Sequence, residues 1–562
     1  MSVEIAKSYR PLVHAKPIGP FTATALVGTH SAIIGWDIDP EADREGLLGF
    51  AIRRLDYDPK TEKLLSATWL NGQKRFKCDR DAGVDVKSKD APFQRFHWND
   101  YALDSEKSYV YEVYPAFGEP CDLKLEQPLK LPFRPTAETV DEIGIFFNRG
   151  VTSAQAYLDR FKGARPDQVP DDAAYTWLSR GLKESLLAFI ARAERGDTLH
   201  VAIYEFHDPE IAAALKRAIT KQKAKVEIVA HATGDKATKL NVAMLKEHGL
   251  EAHAKLRKRA GNISHNKFVV LLTGDEPRAV WTGSSNFSEN AFYFQTNNAL
   301  ELPYPEIARI YEDYFQVLRE DPKLARAKQG QQWAQDQVEA INTSFAPPAT
   351  FDAQVLFSPV RSDHVIDATI ELLRSAQSAV FVSAPFAMEK PIVDAIGENE
   401  TRILEYGLVN ATAKKKIDGL KRRSTRFITP SVLETYMGRK WDAKAFGQHK
   451  IHSKLVIVDP WGANPALLVG SSNHSDESCR RNDENNLLIR GDRRIISVMT
   501  TEFMRMFDHY KIRDFINSIQ RGTADADDKY LKETVEGWAR TSFDPNARSH
   551  KFRDREVFSG KL

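Results

Sequence analysis

The chain has little of several features that would restrict its class. Its 562 residues include only three cysteines, Cys78, Cys121 and Cys479, which are too few for a disulfide framework and favour a reducing compartment. No apolar run reaches the roughly 18 residues of a membrane span, and the first residues lack the apolar core of a signal peptide. We therefore expect a cytoplasmic protein with no transmembrane segment.

An excess of charge of one sign is also missing. Lys and Arg together number 79 and Asp and Glu number 77, so the formal net charge is only +2. This balance gives no general attraction to polyanions, and any affinity for nucleic acid must come from local basic patches. Hydrophobic residues make up 42% of the chain and charged residues 28%, which is ordinary for a globular protein of several domains.

What the chain does contain is one set of residues that occurs twice at the same spacing. Each copy has a His-x-Lys triplet and a Gly-Ser-Ser-Asn stretch, at residues 265–267 with 283–286 and at residues 452–454 with 470–473. In both copies the histidine and the asparagine are 21 positions apart. Agreement of two whole sets is not expected by chance, so we interpret them as a duplicated half-domain.

The spacing suits chemistry on a phosphate diester. Side chains at positions i and i+2 of a strand project from the same face, so the histidine and the lysine of each triplet point the same way. The ammonium binds anionic oxygens, while the imidazole attacks phosphorus or transfers a proton. The Gly-Ser-Ser-Asn stretch adds backbone N–H groups and an amide for an anion. No carboxylate or cysteine cluster with ligand spacing accompanies the histidines, so we predict neither a metal nor another cofactor.

These motifs resemble those of the phospholipase D superfamily. The second copy matches the family pattern in full, including Asp459, whereas Leu272 stands at the corresponding position of the first copy. Residues 198–210 resemble the family's first strand and the turn into its next helix. The polar segments Asn297-Asn298 and Glu484-Asn485-Asn486 are similar to those that follow each Gly-Ser-x-Asn in the family. The likeness covers roughly residues 170–510.

The resemblance implies one active site shared by two halves that face each other. His265 is expected to be the nucleophile that forms a phosphohistidine, and His452 the acid and base. The expected charge-stabilising residues are Lys267, Lys454, Asn286 and Asn473, with help from the hydroxyls of Ser284 and Ser471. Asp459 either orients its neighbours in the second half or caps a strand, and Glu484 is placed among the substrate contacts.

The resemblance and the patterns together predict an α/β protein in three parts. Short strand-like runs at residues 1–135 predict a β-sandwich similar to fibronectin type III or immunoglobulin modules, which could bind a protein partner. Residues 136–345 and 346–562 are expected to be two phospholipase D-like halves, the second with an insertion at 386–447 and a C-terminal extension of no assigned role. The two halves would form a pseudo-twofold, bilobal catalytic unit within a monomer, with higher oligomers left open.

Basic residues before each motif suggest the substrate. The predicted contacts to a polyanion are Arg257, Lys258, Arg259, Lys421, Arg422 and Arg423. A basic groove that leads into the site would favour DNA or RNA, and hence a metal-independent nuclease. Two alternatives stay open, which are a phospholipase D acting on phosphatidyl lipids and a non-catalytic binding protein with a degenerate first motif.

Overall fold

The computed structural model shows an all-β module followed by two copies of a mixed α/β unit. The described residues are 5–72, 74–79, 86–150, 154–259, 262–322, 327–386, 388–398, 403–410, 425–428, 435–436, 439–440, 451–520, 530–547 and 549–561.

Alternating apolar residues make the N-terminal part an all-β module, as predicted. Its strands are β1 (Leu12–His14), β2 (Phe21–Val27), β3 (Ala32–Ile38), β4 (Leu47–Tyr57), β5 (Leu64–Trp69), β6 (Asn71–Gly72), β7 (Val86–Lys87), β8 (His97–Asp100), β9 (Ser108–Glu119), β10 (Asp122–Leu125) and β11 (Leu129–Phe133). One sheet has the order β1-β2-β3-β8, and the other has the order β10-β9-β4-β5 with β11 paired to β9. Buried rings from both sheets, among them Trp36, Phe50 and Tyr111, form their common core. The likeness to fibronectin type III modules stays a prediction.

The three cysteines, which are too few to predict a disulfide framework, include one disulfide-bonded pair. Cys78 and Cys121 are joined by a disulfide in the N-terminal module, whereas Cys479 is free and buried. Cys121 lies in the turn between β9 and β10, and the folding of distant segments, which cysteine spacing does not reveal, brings it to Cys78. Cysteine usage therefore no longer supports a reducing compartment, and the cytoplasmic placement stays a prediction.

The first α/β unit is built on an eight-stranded sheet. Its strands are β12 (Thr139–Val140), β13 (Ile143–Phe147), β14 (Thr198–Ile203), β15 (Lys225–His231), β16 (Ala254–Arg257), β17 (Lys267–Thr273), β18 (Glu276–Gly283) and β19 (Asn298–Leu302). Its helices are α1 (Ala154–Phe161), α2 (Ala173–Ser179), α3 (Leu182–Ala191), α4 (Pro209–Arg217), α5 (Lys236–Glu247), α6 (Pro305–Glu320) and α7 (Ala327–Ser344). The strand order is β12-β13-β19-β18-β17-β14-β15-β16, and β14, β15 and β16 are parallel. The predicted β-α-β order with parallel strands is confirmed for β14, α4 and β15.

The second unit repeats this plan. Its strands are β20 (Ala353–Val355), β21 (Ala379–Ala384), β22 (Leu404–Val409), β23 (Thr425–Ile428), β24 (Thr435–Tyr436), β25 (Arg439–Lys440), β26 (Lys454–Val458), β27 (Ala466–Gly470) and β28 (Asn486–Arg490). Its helices are α8 (His364–Ser375), α9 (Lys390–Glu398), α10 (Asp476–Arg480) and α11 (Arg493–Gln520). The order β20-β28-β27-β26-β21-β22-β23 corresponds strand for strand to β13-β19-β18-β17-β14-β15-β16.

The predicted insertion at 386–447 begins too early. It contains α9 and β22, which are the counterparts of α4 and β15, and β22 runs parallel to β21 in the same sheet. These two elements therefore belong to the repeated unit. α9 and β22 are difficult to predict from the sequence, because their apolar runs are short and lie next to a strongly basic stretch. Much of the rest of the predicted insertion, including residues 411–424, lies outside the described residues.

The two units share one hydrophobic core. Rings from α6, such as Tyr314, pack with residues of the second unit, and Tyr314 stacks on Phe357 with 4.4 Å between ring centroids. Apolar residues of α11, such as Phe503, join the same core. Buried apolar surface therefore holds the two units together.

The C-terminal extension packs on the N-terminal module. Its helices are α12 (Val535–Phe543) and α13 (Lys551–Phe558). The indole of Trp538 is buried in the core of the module and donates a hydrogen bond to Leu47 O at 3.0 Å. Gly35 permits the approach of α13, because a Cβ at that position would lie 1.7 Å from Phe558 O. The two ends of the chain thus complete one structural unit. Among the described helices, none combines the length and apolar character needed to cross a bilayer.

Candidate active site

Each His-x-Lys triplet is held in place by the opposite half of the molecule. Before β17, the backbone N–H of His265 donates to Asp483 O at 2.9 Å. Before β26, the backbone N–H of His452 donates to Thr296 O at 3.2 Å. The residues that supply these carbonyls follow the Gly-Ser-Ser-Asn stretch of the other half, so each motif completes the site of its partner.

The two histidines have different partners, also across the interface. Nδ1 of His265 lies 2.8 Å from a carboxylate oxygen of Glu484, which has no exposed surface. Nδ1 of His452 lies 2.8 Å from the amide oxygen of Asn297. Since each Nδ1–H donates to an oxygen, Nε2 of each ring is left with a free lone pair. The site is therefore pseudo-symmetric in shape and asymmetric in charge.

The serines of the Gly-Ser-Ser-Asn stretches support these partners. Ser471 Oγ donates to Glu484 at 2.6 Å, and Ser284 Oγ donates to Asn297 at 2.9 Å. Both hydroxyls were expected to contact phosphate. In the structure each is buried and hydrogen-bonded to the residue that orients a histidine. The glycine of each stretch is required by close packing, since a Cβ at Gly283 would lie 2.2 Å from a backbone oxygen on the adjacent strand.

The lysines are buried cations at the centre of the site. Lys267 and Lys454 are 0% and 1% exposed. Burial lowers the pKa of Lys267 to about 7, against the opposing effect of the Glu484 and Glu205 carboxylates. Burial and the charge of Lys267 lower the pKa of Lys454 well below its usual range. Both ammoniums would be stabilised by a bound anion, which is the property a phosphate site needs.

The histidines and Glu484 are perturbed by the same burial. Desolvation, with added repulsion from the two lysines, lowers the pKa of both His265 and His452 well below the usual range. The rings are therefore neutral at physiological pH, as a nucleophile or base must be. Burial raises the pKa of Glu484 to about 7, although Lys267 and the hydroxyl of Ser471 oppose the shift.

Asn286 has a partner that the sequence patterns did not identify. Its Nδ2 donates to Glu205 Oε2 at 2.9 Å, and Glu205 follows the end of β14. The Oδ1 atoms of Asn286 and of Asn473, the equivalent residue of the second half, are both buried without a hydrogen-bond partner among the described residues. The only signal for Glu205 in the sequence was its place in the segment that resembles the family's first strand.

Asp459 lies away from the site. Its carboxylate accepts hydrogen bonds from the backbone N–H groups of Gln377, Ser378 and Ala379 at 2.7 to 2.9 Å, where β21 begins. Five positions of extended chain separate it from Lys454, a distance of about 16 Å. Of the two predicted roles, the contacts match the strand cap. The presence of Leu272 at the corresponding position of the first half therefore removes nothing from the site.

Two of the predicted basic contacts are buried in ion pairs. The guanidinium of Arg257 is 1% exposed and makes two hydrogen bonds to Asp483, at 2.6 and 3.0 Å. Arg259 is largely buried and pairs with Asp321 at 3.2 Å. Arg257 thus fastens the segment that carries Glu484, and only Lys258 of this group is exposed. The other predicted contacts, Lys421, Arg422 and Arg423, lie outside the described residues.

Glu484, a predicted substrate contact, contacts His265, and its contact with substrate stays a prediction. Across the described part of the chain, no three His, Cys, Asp or Glu side chains are grouped so that they could hold a metal ion.

One sequence-family model matches both halves of the chain. The sequence model of the family described as "Cardiolipin synthase, PLD-like domain" matches residues 186–319 and 369–507, one match in each half. No curated protein matches the chain significantly in sequence.

Solved structures with a similar fold share little sequence with the chain. A phosphatidylserine synthase of Haemophilus influenzae is 12% identical, covers 63% of this chain and 94% of its own, and gives a TM-score of 0.44. Nuc of Salmonella typhimurium, a phospholipase D family member, is 16% identical over 28% of this chain and 95% of its own, with a TM-score of 0.22. Yeast tyrosyl-DNA phosphodiesterase is 12% identical over 53% and 83%, with a TM-score of 0.31.

Two buried His-x-Lys triplets that meet between repeated α/β units define a phosphodiesterase site. With one family match on each repeat, the two α/β units are phospholipase D-like domains.

Proposed function

We propose that this protein is a metal-independent nuclease that hydrolyses phosphodiester bonds of DNA or RNA through a phosphohistidine on His265. The observation that carries the mechanism is the unequal pairing of the two histidines, with a carboxylate at His265 and an amide at His452. A carboxylate stabilises the positive charge that the ring gains as it attacks, whereas an amide does so less.

The reaction follows from these partners. Nε2 of His265 attacks phosphorus, the bond to the leaving oxygen breaks, and protonated His452 supplies the proton to that oxygen. The bound phosphate anion favours the protonated form of His452 before this step. In the second step neutral His452 takes a proton from water, which displaces His265 from phosphorus. Lys267 and Lys454 stabilise the charge on the phosphoryl oxygens.

Two features support a nucleic-acid substrate. Lys258 is exposed at the end of β16, and the basic segment from Lys414 to Arg426 precedes the second motif in the sequence. The ring of Tyr204 is half-buried beside His265, at 5.2 Å between ring centroids, where an aromatic ring can stack on a base. The assembly of both motif sets also favours an enzyme over a non-catalytic binding protein.

One observation favours a phosphatidyl lipid instead. Phe386, two residues beyond the end of β21, is 43% exposed, and an exposed ring suits contact with an acyl chain. We retain this as the second candidate.

A substrate panel distinguishes the two. Purified protein is incubated with plasmid DNA, single-stranded DNA, RNA and phosphatidylcholine vesicles, with excess EDTA present. We expect cleavage of nucleic acid in EDTA, which weakens as the salt concentration rises. Release of choline without cleavage of nucleic acid would establish the lipid candidate, and a strict need for added metal would reject the mechanism.

The intermediate can be trapped with His452→Ala. p-Nitrophenolate leaves without help from an acid, so this variant should react once with bis-p-nitrophenyl phosphate and then stop. We expect a burst of one nitrophenolate per chain and a phosphoryl adduct on His265 in mass spectra of quenched protein. The matched variant His265→Ala should give neither burst nor adduct. An adduct on His452 in that variant would reverse the assigned roles.

A further inference from the structure

The segment that follows the first strand of each repeat differs in charge between the two halves. β14 pairs Ile203 with Lys267, and β21 pairs Ser383 with Leu455, so Ala384 is the counterpart of Ile203. The two segments from these residues to α4 and α9 have the same length. Glu205 in the first half therefore corresponds to Phe386 in the second. The pseudo-twofold site has a carboxylate on one side and an exposed aromatic ring on the other.

Glu205 is fixed to the motif of its own half in two ways. Its carboxylate accepts from Asn286 Nδ2 at 2.9 Å, and its backbone oxygen accepts from Phe287 N at 2.9 Å. An amide nitrogen carries two hydrogens, so the second one of Asn286 stays available for a phosphoryl oxygen. In the second half, no carboxylate of the described residues is hydrogen-bonded to Asn473.

Glu205 also sets the charge of the site. The carboxylates that act on both buried ammoniums are those of Glu484 and Glu205. A bound anion favours the protonated form of both lysines, and the charges of the two ionised carboxylates then offset those of the two ammoniums. A doubly ionised phosphomonoester therefore brings one more negative charge into the site than a phosphodiester does, whichever protonation state His452 has. In a buried site unpaired charge is costly, so binding of the phosphomonoester dianion is penalised more than binding of the phosphodiester monoanion.

We infer that Glu205 makes the site select singly charged phosphodiesters over doubly charged phosphomonoesters, while it holds Asn286 in position for the phosphoryl oxygen. The inference rests on the phosphodiester chemistry proposed above, but not on whether the ester belongs to nucleic acid or lipid. It also gives a reason for product release, because hydrolysis of a diester converts the ligand from the favoured charge to the disfavoured one.

The test compares two inhibitors of bis-p-nitrophenyl phosphate hydrolysis at pH 8. Phenyl phosphate is a dianion at this pH and diethyl phosphate a monoanion, since the second ionisation of a phosphomonoester has a pKa of about 6. Glu205→Gln keeps an acceptor for Asn286 and removes the charge. We expect it to lower the inhibition constant of phenyl phosphate about tenfold relative to that of diethyl phosphate.

Two further variants separate charge from positioning. Glu205→Ala should change the selectivity similarly and should lower kcat more than Glu205→Gln does, because Asn286 then loses its acceptor. Glu210→Gln removes a carboxylate that pairs with Lys183 outside the site, and should leave both inhibition constants unchanged.

Calorimetry measures the ratio of the affinities for phenyl phosphate and diethyl phosphate without turnover. For this, Glu205→Gln is combined with His265→Ala, and each ligand is titrated into the folded double variant and into His265→Ala alone. An unchanged ratio of the two affinities would overturn the inference. Failure of the wild type to hydrolyse the diester and to bind either anion would instead overturn the proposed function.

Discussion

At the scale of single residues, the site works through neighbours that lie far away in the sequence. The Glu484 carboxylate reaches His265 across the interface, and Ser471 and Arg257 hold the segment from which it extends. In the proposed mechanism His265, and none of these three residues, attacks phosphorus. They set the tautomer and the charge of the ring that does.

Glu484 should give the pH dependence of the reaction. Burial raises its pKa to about 7, so the ionised form that accepts from His265 is lost as the pH falls through that value. Because kcat/KM reports ionisations of the free enzyme, kcat/KM of the wild type should fall on the acidic side. Glu484→Gln cannot ionise, so we expect a kcat/KM lower by about 10²-fold and no acidic limb near neutrality.

The measurement is the rate with bis-p-nitrophenyl phosphate over a pH series. Ser471→Ala is the matched variant, since loss of a hydrogen bond to the carboxylate should move the acidic limb to higher pH. An acidic limb that persists unchanged in Glu484→Gln would assign the titration to another group.

At the scale of secondary-structure elements, Asp459 joins β26 to the start of β21. Three backbone N–H groups and the Ser378 hydroxyl donate to its carboxylate. Asp459→Ala should lower the free energy of unfolding by about 2 to 4 kcal/mol, because several buried donors lose their acceptor. Below the unfolding temperature, kcat/KM should stay close to that of the wild type.

Chemical denaturation and initial rates together test this role. Asp352→Ala is a suitable control, because that carboxylate is 64% exposed and its contact with Arg490 is long, at 3.8 Å. A large loss of kcat/KM in fully folded Asp459→Ala would show that the residue acts in catalysis after all.

At the scale of the whole molecule, the C-terminal extension belongs to the N-terminal module. Trp538 stacks on Phe96 with 5.4 Å between ring centroids, and Arg555 makes a buried ion pair with Asp37 at 3.0 Å. Trp538→Ala should destabilise the module by about 3 to 5 kcal/mol, because it leaves a cavity in the core.

Thermal unfolding followed by tryptophan fluorescence and by residual activity would check this expectation. The half-buried Trp69 on edge strand β5 offers a control, and Trp69→Ala should have a much smaller effect. Equal stability of Trp538→Ala and the wild type would mean that the extension does not support the module in solution.

The sequence by itself determined the repeated unit and the chemical groups of the site. The equal spacing of the two copies shows the repeat. Within each copy, the strand period of two places the histidine and the lysine on one face, whatever surrounds them. His265, Lys267, His452 and Lys454 lie close enough to shift one another's pKa, as the family resemblance implies. The β-α-β order of each half follows in the same way from local apolar runs.

Only the tertiary structure decided which groups surround them. The Glu484–His265 contact spans 219 positions, the buried ion pair of Arg257 and Asp483 spans 226, and the disulfide of Cys78 and Cys121 closes 43. A basic side chain near a motif looks the same in sequence whether it faces solvent or a buried carboxylate. The sequence therefore predicts a substrate contact for Arg257, which the structure shows in a buried ion pair. Burial and partners depend on distant segments that pack together, and local patterns carry no record of that packing.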